Sequence, residues 1–199
     1  MNQDLGLLGA PSQAVALAAA CRLAYSRGLV HALAGNASAR VPDGFLCTPT
    51  GCCLGELCSE DLVHCDPTWV PRGGSRGPSS EWRLHAHIYA TGPTITAILH
   101  THSPQATALA VGARDIQPIT PEIAHFLGHV PCVPFAEPGT AALGLMAAEA
   151  MRAGARALLL ERHGAVAWGS DIREAFFQAE LLESAAALAA RVQGMQREL

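Results

Sequence analysis

The segment running from Pro93 to His102 constrains this chain most. Ile95, Ala97, Ile98 and Leu99 make a short apolar, largely β-branched run behind Pro93, and His100-Thr101-His102 ends it. The length suits a strand better than a helix, so residues 95–99 read as a buried strand. A strand with so little polar alternation needs cover on both faces, which the rest of the chain has to supply as helices.

The remaining pattern does alternate helices with strands. Pro11 and Ser12 open a helix reaching about residue 27, ended by Gly28. Its Ala14, Leu17, Ala18, Cys21 and Tyr25 fall at core-facing spacing, with Arg22 and Arg27 toward solvent. Residues 35–38 read as a Gly/Asn/Ser-rich turn. Residues 45–47 read as a short strand closed by Thr48-Pro49-Thr50-Gly51, and residues 72–80 as a loop. Ser79 and Ser80 take cap positions ahead of a helix over 81–89. Residues 104–111 predict a short helix, 132–135 a strand and 141–153 an Ala-rich helix. Residues 158–160 and 165–168 predict two strands around Arg162-His163-Gly164. Asp171 and Glu174 form a capping box for a long helix to about residue 193. No repeat or long linker divides the chain, so residues 1–199 read as one α/β domain with helices on both faces of a sheet.

Composition removes several classes of function. All thirteen basic residues are Arg. Without Lys there is no Schiff-base aldolase, no pyridoxal-phosphate lysine and no P-loop lysine. A net charge of −4 with no basic run argues against nucleic acid and anionic membrane surfaces as partners. Residues 1–10 lack the basic start of a secretory signal, and residues 88–113 are too interrupted by proline and histidine to span a membrane. Seven cysteines, an odd number, suit a reducing cytoplasm better than a disulfide framework.

Histidine carries the chemical signal. His100 and His102, two apart on a strand, point to one side and can face one ion. His163 sits on a tight turn that can present a third imidazole. Glu81, at a helix start, can add a carboxylate. Three imidazoles and an acid suit one divalent metal ion, Zn2+ first, with Mn2+ and Co2+ as alternatives; ordinary structural histidines are the other reading of the spacing. Ser79 and Ser80 at a helix N-terminus, with the Gly35-Asn36 and Thr50-Gly51 turns, can offer an anion site without any Lys. Ordinary caps and turns are again the alternative.

Five motifs occur together and in order: Gly35-Asn36-Ala37-Ser38, Thr48-Pro49-Thr50-Gly51, Pro78-Ser79-Ser80-Glu81-Trp82, His100-Thr101-His102 and Arg162-His163-Gly164. In this the chain resembles the class II aldolase/adducin family over residues 14–190, most of all its fuculose-1-phosphate aldolase branch. The resemblance implies a three-layer α/β/α domain around a mostly antiparallel sheet, assembled as a homotetramer with sites between subunits. It implies Glu81, His100, His102 and His163 as ligands of one metal ion per subunit, with Glu81 also moving the proton. Asn36, Thr50, Gly51, Ser79 and Ser80 would hold the phosphate of a small phosphorylated sugar. The implied reaction is metal-dependent cleavage of a phosphorylated ketose through an enediolate. Sugar-acid-phosphate decarboxylase, methylthioribulose-phosphate dehydratase, sugar-phosphate epimerase and a non-catalytic adducin-like scaffold are the alternatives within the family.

Two departures stand out. The aldolases carry a tyrosine at the position matching Glu122, and another near the C-terminus; this chain has only Tyr25 and Tyr89, neither in place. Glu122 is therefore a candidate specificity residue, or else a surface residue of a helix after Pro121. Three further clusters compete for a metal role: Cys52, Cys53, Cys58, His64 and Cys65 as a zinc knot; His85 with His87; and His125 with His129. A helix separates His85 from His87, leaving His85, one turn beyond Glu81, as a supporting group.

Overall fold

A computed structural model describes residues 12–73 and 76–197. The readings of residues 1–10, Pro11 and loop positions 74–75 lie outside the described residues. In chain order the elements are α1 (Gln13–Ser26), β1 (Asn36–Val41), β2 (Gly44–Cys47), β3 (Val63–Cys65), α2 (Trp82–Thr91), β4 (Ala97–Thr101) and α3 (Pro104–Val111). Then follow α4 (Pro121–Phe126), β5 (Cys132–Val133), α5 (Ala141–Arg152), β6 (Ala157–Leu160), β7 (Gly164–Gly169) and α6 (Ile172–Arg197). The strands form one sheet in the order β3-β2-β1-β4-β7-β6-β5. Its pairings are antiparallel except β5 with β6.

Strand periodicity divides the apolar side chains between two cores. In β6, Ala157 and Leu159 face one side, and Leu158 and Leu160 the other; in β7, Ala165 and Ala167 oppose Val166 and Trp168. Residues of α1, α3, α4 and α6 cover the first face, and residues of α2 and α5 the second. The result is the α/β/α sandwich expected from the family resemblance, with a mostly antiparallel sheet. Leu158 and Leu159 are fully buried on opposite faces, each contributing about 1.5–3 kcal/mol of apolar burial. That pair anchors the strand leading into His163.

Several local expectations need correction. Residues 36–38 are not a turn but the start of β1, which lies between β2 and β4. Small and polar residues conceal a strand that pairing on both edges makes obligatory. β3, near the sheet's rim, was likewise not expected from the sequence. β4 extends through His100 and Thr101, which pair with Asn36 and Ala165. In α1 the stripe turns inward at Ala24 rather than Tyr25. Tyr25 is instead exposed and lies over Gly55, where any side chain would collide with its ring. The capping box of α6 is half formed: Asp171 accepts from the Glu174 N–H, while Glu174 reaches back to Ser170.

Candidate functional site

β4 and β7 bring three imidazoles to one end of the sheet. His100 is buried in the central strand, and its Nδ1–H donates to the Ala165 carbonyl at 2.9 Å. That bond turns Nε2 toward the cluster, as a metal-ligating histidine requires. His102 Nε2 lies 2.9 Å from His100 Nε2. His163 sits on the β6–β7 turn beside Arg162, whose φ is +56°. Gly164 follows, and a Cβ there would overlap the Thr101 carbonyl oxygen. Its absence lets the turn close onto β4. One ligand nitrogen from each of His100, His102 and His163 lies within 4.8 Å of the others, and this is the only such metal-competent group among the described residues. The cysteines of positions 52–65 do not form one. His129 is instead bonded to Asp115, and the His125 carbonyl accepts from Arg156.

Glu81 closes the fourth side. It occupies the N-cap of α2 with φ −94° and ψ 13°, and its side chain caps no backbone group. The Ser-Ser pair therefore lies before the cap instead of forming it. The Ser79 hydroxyl accepts from the Glu81 N–H, which fixes the entry to the helix. Freed from capping, the buried carboxylate places Oε2 2.9 Å from His100 Nε2 and Oε1 3.1 Å from His163 Nε2. Burial acts to raise its pKa, but the charges and hydrogen bonds of His100 and His163 outweigh this and hold it below the ordinary carboxylate range. His100 responds in kind: burial lowers its pKa, while Glu81 and the Ala165 carbonyl raise it further. His102 is pushed down to about 3, by burial first and then by its histidine neighbours, so it presents a neutral ring. Glu81 Oε1 is buried, and beyond the His163 Nε2 contact no hydrogen-bond donor satisfies it among the described residues. Converging imidazole nitrogens and an unsatisfied carboxylate oxygen fit a divalent cation.

The anion-site residues share the cleft. A cavity of about 320 Å³ is lined by Asn36, Thr50, Gly51, Ser79, Ser80, Glu81, His102 and His163, among others. Backbone bonds tie its two turns together: Thr50 N–H donates to the Gly77 carbonyl at 3.1 Å, and Ser79 N–H to the Thr48 carbonyl at 2.9 Å. Asn36 is more committed than the sequence suggests. Its side-chain N–H donates to Glu81 Oε2 at 3.0 Å, and its carbonyl accepts from His85 at 2.7 Å. Gly35 before it has φ +79°, and a Cβ there would stand 2.8 Å from the His100 carbonyl oxygen. An adjoining cavity, sharing Leu33, Gly51 and Cys52, is lined by Arg76, a cation the sequence reading passed over. Glu122 does not join these residues within the chain. It is exposed in the first turn of α4 and lines a separate groove with Phe126, Arg173 and Phe177. Ser38 and Tyr89 were missed as well, although Glu81, His85 and Tyr89 recur every four residues along α2.

Residues 15–190 match the family described as Class II Aldolase and Adducin N-terminal domain. The 3-oxo-tetronate 4-phosphate decarboxylase of Cupriavidus necator is 37% identical over 178 residues, covering 84% of this chain and 80% of that protein. The L-fuculose phosphate aldolase of Methanocaldococcus jannaschii is 35% identical over 84% of this chain and 90% of its own. The crystal structure of L-fuculose-1-phosphate aldolase from Thermus thermophilus superposes with a TM-score of 0.83 at 29% identity, covering 94% of this chain and 97% of that one.

Proposed function

This chain belongs to the class II aldolase and adducin family as a class II aldolase-type lyase, and from that premise we propose that it breaks a carbon–carbon bond in a small phosphorylated keto-sugar or keto-acid, leaving dihydroxyacetone phosphate. The observation that carries the reading is the convergence of His100, His102, His163 and Glu81 in the cavity that also holds the Thr50-Gly51 and Ser79-Ser80 turns. His100, His102 and His163 would hold the ion, with Glu81 beside it; we assign Zn2+. When bound, a divalent ion polarises the substrate ketone and stabilises the charge that develops on its oxygen.

The chain's own residues do the rest. Thr50, Gly51, Ser79 and Ser80, with the second N–H of Asn36, seat the phosphate through neutral donors. This places the ketone toward Glu81. The bond beyond the adjacent hydroxyl-bearing carbon breaks, and its electron pair passes into the ketone to give an enediolate. Glu81, ionised before the substrate enters, takes up a proton from solvent and passes it to this carbon.

Two leaving groups fit that scheme. An aldehyde leaves a ketose 1-phosphate after losing its hydroxyl proton; carbon dioxide leaves a 3-oxo acid 4-phosphate with no such proton to move. The first needs an acid–base group at the aldehyde oxygen. Tyr25 is exposed on α1, and Tyr89 is buried against Ser38, so neither lines the cleft. That favours decarboxylation, the activity named for the Cupriavidus necator relative. The five motifs in order, which resemble the fuculose-1-phosphate aldolase branch, favour the aldehyde reading. We propose further that the chain works as one domain in a homotetramer in a reducing cytoplasm. Support comes from its seven free thiols and from the exposed Phe126 and Phe177 beside the α4–α6 groove. No described helix is long and apolar enough to cross a membrane.

The test supplies fuculose 1-phosphate and 3-oxo-tetronate 4-phosphate separately to Zn2+-loaded protein and measures dihydroxyacetone phosphate with a coupled dehydrogenase. Carbon dioxide or aldehyde then identifies the branch. No dihydroxyacetone phosphate from either would overturn the reading.

A further inference from the structure

One polar network reaches from Glu81 into the second core. Asn36 Nδ2 is 3.0 Å from Glu81 Oε2; Asn36 Oδ1 is 2.7 Å from His85 Nε2; His85 Nδ1 is 2.7 Å from Ser38 Oγ; Ser38 Oγ is 3.0 Å from Tyr89 Oη. All five side chains are buried. The network arises where two periodicities match. Asn36 and Ser38 are two apart on β1, a rise of about 6.7 Å. Glu81, His85 and Tyr89 recur every four residues at the start of and along α2, a rise of about 6 Å per step. Strand and helix side chains therefore interleave like the teeth of a zipper.

The carboxylate end gives this chain a direction. An ionised carboxylate only accepts, so Asn36 has to present its NH2 there and its oxygen to His85. A neutral His85 has one N–H, which is then on Nε2, leaving Nδ1 to accept from the Ser38 hydroxyl. Ser38, having given its hydrogen to Nδ1, accepts from Tyr89, whose hydroxyl also lies 3.4 Å from the Thr96 carbonyl oxygen as a second, longer acceptor. An asparagine amide by itself has two orientations of similar shape, and only one gives Glu81 a donor.

We propose that Ser38 and His85 are positioning residues for Glu81: the Tyr89–Ser38–His85–Asn36 chain locks the Asn36 amide with its donor on the carboxylate and thereby sets the angle at which Glu81 faces the histidine cluster. This rests on the proposed metal centre for its consequence, but the locked tautomer is a property of the protein itself. Losing the Ser38 hydroxyl removes the donor to Nδ1. Glu81 alone, acting through Asn36, then favours the Nε2–H tautomer, so the preference weakens and a fraction of the protein carries the proton on Nδ1 with the Asn36 amide turned over.

The test uses the full-length 15N-labelled protein. In the metal-free wild type, long-range 1H–15N spectra should show His85 protonated on Nε2 alone. In Ser38→Ala a substantial Nδ1-protonated fraction should appear, and the Asn36 side-chain amide resonances should move. Co2+ affinity, measured against a competing chelator, should fall roughly tenfold or more, with a changed Co2+ absorption band. His85→Leu should lose affinity similarly, while His85→Gln, whose amide N–H can replace Nε2–H, should recover most of it. An Nδ1-protonated wild type overturns the inference. So does a folded Ser38→Ala with unchanged Asn36 resonances and Co2+ affinity. A wild type that binds no Co2+, with the tautomer shift still seen on going to Ser38→Ala, would instead sink the metal-centre reading alone.

Discussion

Gly164→Ala tests how His163 reaches the cluster. Gly164 opens β7, pairs with Leu160 and lies against the Thr101 carbonyl and the His102 ring. A methyl group there would overlap that carbonyl oxygen, with His102 Cδ2 at 3.1 Å as a second obstacle. The obstructing atom belongs to a backbone held by the β1 and β7 ladders, so it cannot rotate away as a side chain can. The β6–β7 turn has to lift instead, by on the order of 0.5–1 Å. Overpacking of this kind costs about 1–3 kcal/mol, equivalent to a melting temperature lower by roughly 3–10 °C in a chain of this size. Ligand distances tolerate only about 0.2 Å, so displacing His163 should weaken Co2+ binding by at least about tenfold. Circular dichroism melting of the metal-free protein and a Co2+ titration read the two effects separately. A melting temperature within about 1 °C of wild type (below the smallest shift such a cost allows), with unchanged Co2+ affinity, would refute the claim that this close approach positions His163.

His100→Ala should abolish stoichiometric binding of Zn2+ or Co2+, because it removes the buried central nitrogen; unchanged metal content by mass spectrometry would contradict the cluster. Prolonged EDTA treatment should abolish turnover of the wild type, with Zn2+ restoring it; full activity in demonstrably metal-free protein would exclude a metal-dependent lyase. His85, pushed down from 6.5 to about 3 by burial and then by the charge of His100, has a folded pKa below its unfolded one. Its contribution should therefore destabilise the fold progressively as pH falls from about 6.5 toward 3, by on the order of 5 kcal/mol at the acid end. His85→Gln should flatten that part of the urea-measured stability profile, and parallel profiles for the two proteins would count against a neutral buried His85. Ser80→Asp, placing a negative charge in the anion-site cavity, should raise KM for a phosphorylated substrate about tenfold or more without lowering Co2+ affinity; an unaltered KM would remove Ser80 from the phosphate site.

The chemistry-bearing residues were legible because they are local in sequence. His100 and His102 show their common side through a spacing of two, and His163 shows its turn through the flanking Arg and Gly. The α/β/α class follows from short apolar strands alternating with helical stripes, since each strand face needs cover. Other features depend on partners far along the chain. β1 is a strand because β2 and β4 bond both its edges, which Asn36-Ala37-Ser38 does not announce. Asn36 reads as a turn donor for an anion, yet packing of α2 against β1 commits one of its N–H groups to Glu81. Glu81 reads as the residue after a cap; the observed cap position frees its carboxylate to meet His100 and His163. Glu122 reads as a candidate specificity residue, but α4 carries it to the groove beside α6. Spacing along a chain determines which side chains share a face. Which faces meet, and which hydrogen bonds their polar groups then have to find once water is excluded, is decided only when the layers pack.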